Sequence, residues 1–300
     1  MINGIVNVYK EKEFTSFDVV AKMRGIFQQK KIGHTGTLDP DAEGVLPVCL
    51  GRATKVCDLL TDKDKEYEAV LLLGVVTDTQ DLSGEVLEEK PVTATEDEVR
   101  TAILSFVGDY MQVPPMYSAL KVNGQKLYDL ARKGVTVERK ARPVTIHAIE
   151  ILSVDLPEVR MRVHCSKGTY IRTLCQDIGE KLGCGGCMKS LLRTRVAAFA
   201  IEDALKLDEL EARLKSGDKS FIHSVDSVFM QYEKASVLET ADKLVRNGNR
   251  IPEELICNMQ DCYKKECIRL YGWEGTLIGL YAYKPETNDF KPIKLFQTEL

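Results

Sequence analysis

Residues 33–44 read GHTGTLDPDAEG and set His34, Asp39 and three glycines in a stretch that suits neither a helix nor a strand. Asp39 is bracketed by Leu38 and Pro40. A proline holds the residue before it in extended backbone, which aims the Asp39 side chain away from any helix. Gly33, Gly36 and Gly44 let the chain turn tightly or approach a ligand closely. A carboxylate aimed in this way serves as a base or a nucleophile. The same composition also makes a plain turn, in which an aspartate only accepts backbone N–H bonds. Asp41 and Glu43 read as solvated turn residues and not as a metal-ligand set.

The elements that must position this turn are legible on both sides of it. INGIVNVYKE reads as a short strand, and SFDVVAKMRGIFQQK as an amphipathic helix with Ser16 as its cap and Val19, Val20, Met23, Ile26 and Phe27 on its apolar side. Downstream, GVLPVCLGRATK is another apolar segment and KEYEAVLLLGVVTDTQD a strand with a long apolar run. TATEDEVRTAILSFVGDY predicts a second helix with Thr95 and Glu98 spaced as a capping box. The segment from VPPMYSALKVNGQK begins at a Pro-Pro turn and carries an Asn-Gly hairpin signal, so a basic, hairpin-tipped excursion from a sheet is expected over about 114–142. VRMRVHCSKGTYIRTLCQDIGEKLG alternates like a strand and then turns helical. Beyond about residue 235, short strands separated by glycine-containing turns predict a small, mostly β domain.

Length and composition restrict the class. Three hundred residues with 44% hydrophobic content suffice for one large domain and a small companion. The N-terminal MINGIVNVYKEKEF turns polar too soon for a secretory leader, and no apolar run reaches 18 residues, so a cytoplasmic protein without a membrane span is expected. Cys184 and Cys187 form one C-x-x-C, and Cys257, Cys262 and Cys267 recur at intervals of five. Without a second C-x-x-C, and with four histidines in the chain, reduced thiols are expected and no metal. No phosphate-loop or dinucleotide motif occurs, so no cofactor is expected. The net charge of −4 hides an asymmetry: residues 58–109 hold 4 basic and 14 acidic side chains, and residues 110–200 hold 15 basic and 7 acidic. The basic stretch, which contains Tyr117, Tyr128 and Tyr170, fits either a nucleic-acid contact or an ordinary solvated face. The acidic stretch is expected to face away from any such partner.

GHTGTLDPDAEGVLPVCLGRATK, KEYEAVLLLGVVTDTQD, MYSALKVNGQKLYDLARKG, CSKGTYIRTLCQDIGEKLG and LLRTRVAAF resemble, in this order and spacing, the bacterial TruB-type tRNA pseudouridine synthases over roughly residues 2–200. The resemblance implies an α+β pseudouridine synthase fold, with a central mixed, mainly antiparallel sheet flanked by helices. It implies a catalytic domain over 1–230 and a small β-rich, PUA-like RNA-binding domain over 235–300. The implied reaction is isomerisation of uridine 55 in the TΨC loop of tRNA: the base is flipped out, detached from ribose, rotated and rejoined through C5. The implied partner is the tRNA T stem-loop, and a monomer is expected because no heptad pattern is present.

By the same resemblance Asp39 is the catalytic carboxylate. Attack on ribose C1′, addition to the uracil ring and abstraction of the 2′ proton to give a glycal all remain open, and the glycal route is favoured. Tyr67 matches a tyrosine that stacks on the target base; Arg172 matches the arginine that pairs with the aspartate, which would lower the carboxyl pKa; Tyr170 and Leu191 match lining of the uracil pocket. Taken singly, each also reads as ordinary packing or a solvated side chain, Arg172 as a strand residue among them. His34 matches a side chain that fills the space of the flipped nucleotide, a wedge and not an acid–base group. Lys10 matches a lysine near the site, although KEKEFTS lacks the proline and glycine of the usual K-P-x-G-x-[ST]-S, and Leu192 stands where an arginine is usual. Expected RNA contacts are Lys10, Arg52, Lys55, Lys121, Lys126, Arg132, Arg142, Lys167, Arg193 and Arg195, with the 114–142 excursion, including Lys133, Arg139 and Lys140, acting as a mobile clamp. Two other readings stand beside the isomerase. One is a non-catalytic tRNA-binding folding factor, and the other a glycoside-type hydrolase, which lacks a clearly placed second carboxylate.

Overall fold

The computed structural model describes residues 1–122, 124–257 and 267–296; Asn123, Cys262 and the side chain of Lys126 lie outside the described residues. Ten strands build the main sheet: β1 (Gly4–Lys10), β2 (Ile32–His34), β3 (Glu43–Leu50), β4 (Lys65–Leu73), β5 (Gly108–Gln112), β6 (Arg142–Asp155), β7 (Glu158–Cys165), β8 (Gly186–Val196), β9 (Phe199–Ala200) and β10 (Ile222–His223). Their order is β10-β1-β3-β8-β4-β7-β6-β5, with β2 beside β3 and β9 beside β8. Every pairing is antiparallel except β3 with β8, which meet in parallel at Leu192↔Glu43 and Arg193↔Gly44. The sheet is thus mixed and mainly antiparallel, as the resemblance implies.

The helices form where caps and apolar spacing coincide. Helix α1 (Ser16–Phe27) starts from Thr15, whose Oγ1 accepts the Asp18 N–H at 3.0 Å while Asp18 Oδ2 accepts the Thr15 N–H at 2.9 Å. The cap is therefore Thr15 and not Ser16. Ser16 is buried, and its Oγ accepts the Leu38 N–H at 2.9 Å, so it serves the 33–44 turn instead. Val19, Val20, Met23 and Phe27 pack on Val6, Val8, Leu46 and Val48 of the sheet, each full burial stabilising by roughly 1.5–3 kcal/mol. Helix α2 (Glu96–Leu104) carries the expected Thr95–Glu98 capping box. Helix α3 (Ile171–Lys181) lays Ile171, Leu174, Cys175 and Ile178 on a core made with Ala69, Leu71, Val159 and Met161.

The C-terminal part has its own six-stranded sheet within Glu233–Leu295 and its own core, with Ala235, Val237, Val245, Ile268, Leu270, Tyr281 and Phe290 buried together. It is tied to the main sheet by Phe229, Leu280 and Phe296, which pack with Ile5, Val45, Val56 and Val196.

The 33–44 stretch is less irregular than its composition implies, because Gly33 and His34 end β2 while Glu43 and Gly44 begin β3. Gly44 has φ of +104°, and a Cβ there would stand 2.2 Å from the Arg193 carbonyl oxygen across the parallel pairing. The close approach that needs a glycine is thus between two strands. Gly44→Ala should lower stability by more than about 2 kcal/mol in urea denaturation, through backbone conformation and backbone overlap together. A loss under about 0.5 kcal/mol would contradict this account.

Candidate functional site

The turn between β2 and β3 is anchored from three directions. From α1, Ser16 Oγ holds the Leu38 amide. From the end of β1, Lys10 Nζ donates to the carbonyls of Glu11 at 3.1 Å, Pro40 at 3.0 Å and Ala42 at 2.5 Å. From β8, Arg193 Nε donates to Val45 O at 2.7 Å and Nη2 to Gly36 O at 3.2 Å. Lys10 and Arg193 are both buried, so neither presents its charge to an RNA phosphate. This corrects their expected role as RNA contacts. Lys10 instead directs its three donors to carbonyl oxygens, Arg193 gives two donors to carbonyls and lies against Tyr67, and burial pushes the Lys10 amine down to about 8.

Asp39 projects from this turn at the floor of a cleft of about 880 Å³, lined among others by Ala42, Thr79, Asp81, Tyr117, Arg172 and Leu191. Arg172 Nε lies 3.1 Å from Asp39 Oδ2, and Nη2 lies 3.4 Å from Oδ1. Arg172 is not a strand residue. It sits in the first turn of α3, buried, and Tyr170 caps that helix. Its remaining donors reach Thr79 O at 3.1 Å, Tyr117 O at 2.9 Å and Asp81 Oδ2 at 3.5 Å. One guanidinium therefore serves two carboxylates and ties the turn to the 114–142 excursion.

That sharing bears on Asp39's charge. The Asp39 side chain is 40% exposed to the cleft, yet burial of the rest raises its pKa above the ordinary carboxylate value, outweighing the downward pull of Arg172; Asp81 adds to the rise. The expected lowering by Arg172 is present but does not win, because loss of solvent around the carboxylate is the larger effect.

Tyr67, the third residue of β4, pairs with Val163 on one side and Arg193 on the other; burial raises its phenol pKa, and the Arg193 guanidinium lies against it. Tyr170 is half-buried, with its backbone N–H and C=O held by the Gln112 amide at 2.8 and 3.0 Å. Leu191 lines the cleft and also packs on the main core. His34 lies at the far end of the turn from Asp39, half-buried, and its Nδ1 accepts the Gly36 N–H at 3.3 Å. Burial lowers its pKa, so the ring is neutral at neutral pH, with its proton on Nε2.

The remaining basic residues are spread over the surface. Arg52 and Arg142 are exposed, as is Lys121 in the hairpin of Lys121–Val122 with Gln125–Lys126. Lys55 is half-buried. Arg132 is exposed over the Tyr128 ring, Lys167 pairs with Asp62 at 3.0 Å, and Arg195 with Glu66 at 2.8 Å. Arg139 donates to Pro114 O, closing the base of the excursion. Cys184 and Cys187 are buried free thiols.

Asp81 is the site residue that the sequence does not single out. Its signal is the polar TDTQD that ends a long apolar strand; there Asp81 Oδ1 accepts from Thr79 Oγ1 at 2.7 Å and from the Ser83 N–H at 3.0 Å, fixing it toward Arg172. Three acids of the 58–109 stretch, Asp78, Asp81 and Glu85, line the same cleft as Asp39.

The chain has close counterparts among known proteins. Residues 24–171 match the model for the N-terminal domain of the TruB family pseudouridylate synthases, and residues 172–235 match that for the tRNA pseudouridylate synthase B C-terminal domain. The tRNA pseudouridine synthase B of Lachnoclostridium phytofermentans is 56% identical over 306 residues, covering 98% of this chain and all of the relative. That of Alkaliphilus oremlandii is 46% identical, covering 99% and 98%. Among solved structures, a Cbf5–Nop10–Gar1 complex is similar at a TM-score of 0.73 and an archaeal box H/ACA sRNP Nop10–Cbf5 complex at 0.71. Both are 26% identical, covering 98% of this chain and 85% and 86% of theirs.

The buried Lys10 has a consequence that unfolding reports. Its amine holds a proton up to about 8 when folded and up to its ordinary 10.5 when unfolded. Between those pH values the unfolded chain binds more protons, so this group adds stability as pH rises from about 8 toward 10.5. The difference in unfolding free energy between wild type and Lys10→Met should accordingly grow in favour of wild type across that window. A difference that stays flat with pH would show that Lys10 is not held in this environment.

Proposed function

Because the chain belongs to the TruB family of pseudouridylate synthases, we propose that it converts uridine 55 in the TΨC loop of tRNA to pseudouridine with Asp39 as the catalytic carboxylate. The chain is a pseudouridine synthase, an isomerase, and its named relatives act on tRNA. The observation that carries the site assignment is Asp39 facing Arg172 at 3.1 Å on the floor of the cleft, with Leu191 in its wall.

A uridine in a folded loop must leave its stack to reach such a floor, at a cost of a few kcal/mol. His34, neutral and half-buried at the other end of the turn, is suited to fill the vacated space by stacking. The cleft carries Asp39, Asp41, Glu43, Asp78, Asp81 and Glu85 against Lys12, Lys189 and Arg172. This balance admits an uncharged uracil and repels its phosphates, which then lie at the rim. Leu191 in the wall supplies a surface for the base, and Tyr67 and Tyr170, outside the cleft lining, lie near enough to Asp39 to feel its charge.

The raised pKa of Asp39 supports its action as a base. In the glycal route, Asp39 takes the proton from C2′ as the C1′–N1 bond breaks, leaving a glycal and a uracil anion. The uracil rotates, C5 attacks C1′, the proton returns to C2′, and C5 loses its proton to solvent as N1 takes one up, so that the product is an isomer of the substrate. Arg172 keeps the carboxylate oriented throughout and is a positioning residue for it. We assign residues 1–230 to catalysis and 235–300 to a PUA-like RNA-binding domain, with the 114–142 excursion closing on the T stem-loop through Lys121, Arg132, Lys133, Lys140 and Arg142, and a monomer as the working unit.

Two measurements test this reading. Wild-type protein should release tritium from tRNA labelled at uridine C5; Asp39→Asn should release none while still binding tRNA, and a transcript with cytidine at position 55 should give no release with either protein. Release by Asp39→Asn at the wild-type rate would remove Asp39 from the chemistry. For the excursion, replacing Lys121, Arg132, Lys133 and Lys140 by glutamine should weaken tRNA binding and reduce the slope of log affinity against log salt by about one unit for each phosphate no longer neutralised. Unchanged affinity at every salt concentration would exclude the clamp.

A further inference from the structure

Three donor side chains meet on the face of the main sheet opposite Tyr67. His164 of β7 is in register with Glu66 of β4, whereas Tyr67 is in register with Val163, so the imidazole and Tyr67 point to opposite faces. His147 reaches the same place through a break in β6. The pairing jumps from Ile146↔Cys165 to Ala148↔His164, leaving His147 as an extra residue. Ile146 and Ile149 are both in the core, three apart instead of two, and His147 and Ala148 both face outward. A bulge of this kind re-aims a side chain. Here it brings the His147 ring to 4.8 Å from that of His164. Asp64, just before β4, completes the group, with Oδ2 3.4 Å from His147 Nε2 and its backbone carbonyl held by the Ala197 N–H at 3.2 Å.

We propose that Asp64, His147 and His164 form a binding site for a divalent transition-metal ion of the zinc class, separate from the Asp39 cleft. One donor atom from each of the three lies within 4.8 Å of the others. Ligands at about 2 Å from a tetrahedral ion stand about 3.3 Å apart, so the His147–Asp64 distance already fits and small rotations of exposed side chains bring in His164. Two imidazoles and one carboxylate suit zinc, copper or nickel and not magnesium, and the exposed fourth position takes water. The neighbouring acids are occupied: Glu66 with Arg195, Glu68 with Arg160 and Arg162, and Asp62 with Lys167. The bound ion would tie β6 and β7 to the turn before β4, stabilising that edge by mass action.

The test uses the full-length protein stripped of metal, titrated with Zn²⁺ by calorimetry and with Co²⁺ by absorption. One site should fill with a tetrahedral cobalt spectrum lacking thiolate charge-transfer bands, Zn²⁺ should raise the melting temperature, and Mg²⁺ should do neither. His147→Ala and, separately, His164→Gln, which keeps a polar side chain of similar reach, should weaken that site at least about tenfold and abolish the thermal shift, with circular dichroism unchanged. Unchanged Zn²⁺ affinity in both variants, or binding only through a site with thiolate bands, would overturn the proposal. The readout is binding and melting, so its failure leaves the assignment of Asp39 untouched.

Discussion

A carboxylate carried by a loop acts from a fixed position only if the loop's own carbonyl oxygens are satisfied away from water, and that requirement organises this structure. The 33–44 turn has no helix or full sheet ladder to absorb its backbone groups. Lys10 and Arg193 do so, each a buried cation that donates to main-chain oxygens, with the Tyr67 phenol also against the Arg193 guanidinium. Burying such charges is costly unless each donor is met by an acceptor. The arrangement therefore tolerates little displacement: moving the turn strips acceptors from both cations at once. Arg172 adds a third cation, shared between Asp39 and Asp81, so the orientation of the floor carboxylate depends on a second acid that need not touch substrate.

Much of this is legible in the chain. Strand alternation and the 3.6-residue period of α1 follow directly from where apolar residues fall, and the Thr95–Glu98 box appears as its spacing predicts. The Asp39 turn stands out because glycines and a proline crowd around one acid. Burial of charge is what the sequence conceals. A lysine and an arginine look alike in sequence whether they hold phosphates outside or carbonyls inside, so nothing in the chain puts Lys10 and Arg193 on the inner side of the surface. Ser16 is ambiguous for a related reason, since a hydroxyl beside a helix start caps it or, one residue on, serves another segment. Asp81 is hidden because its role depends on an arginine 91 positions later in the chain.

The charge of the cleft also departs from a simple picture of an RNA-binding protein. A basic excursion stands over an acidic floor, and Tyr117 spans the two, its hydroxyl donating to Asp78 at 3.0 Å and its carbonyl accepting from Arg172. Basic and acidic side chains are thus segregated into different parts of the molecule, which meet at one tyrosine.

The position of β8 carries a further consequence, for synthesis of the chain. Strands β3 and β4 follow one another in sequence but are never partners, because β8 lies between them and bonds to both. Until residues 186–196 leave the ribosome, β4 lacks this partner and the Glu43–Gly44 end of β3 is unpaired on that side, β2 already covering Val48–Leu50. The nascent chain must therefore keep the open edge of β4 and the open end of β3 apart for more than a hundred residues of synthesis, until a single late strand bridges them and delivers Arg193 to the turn.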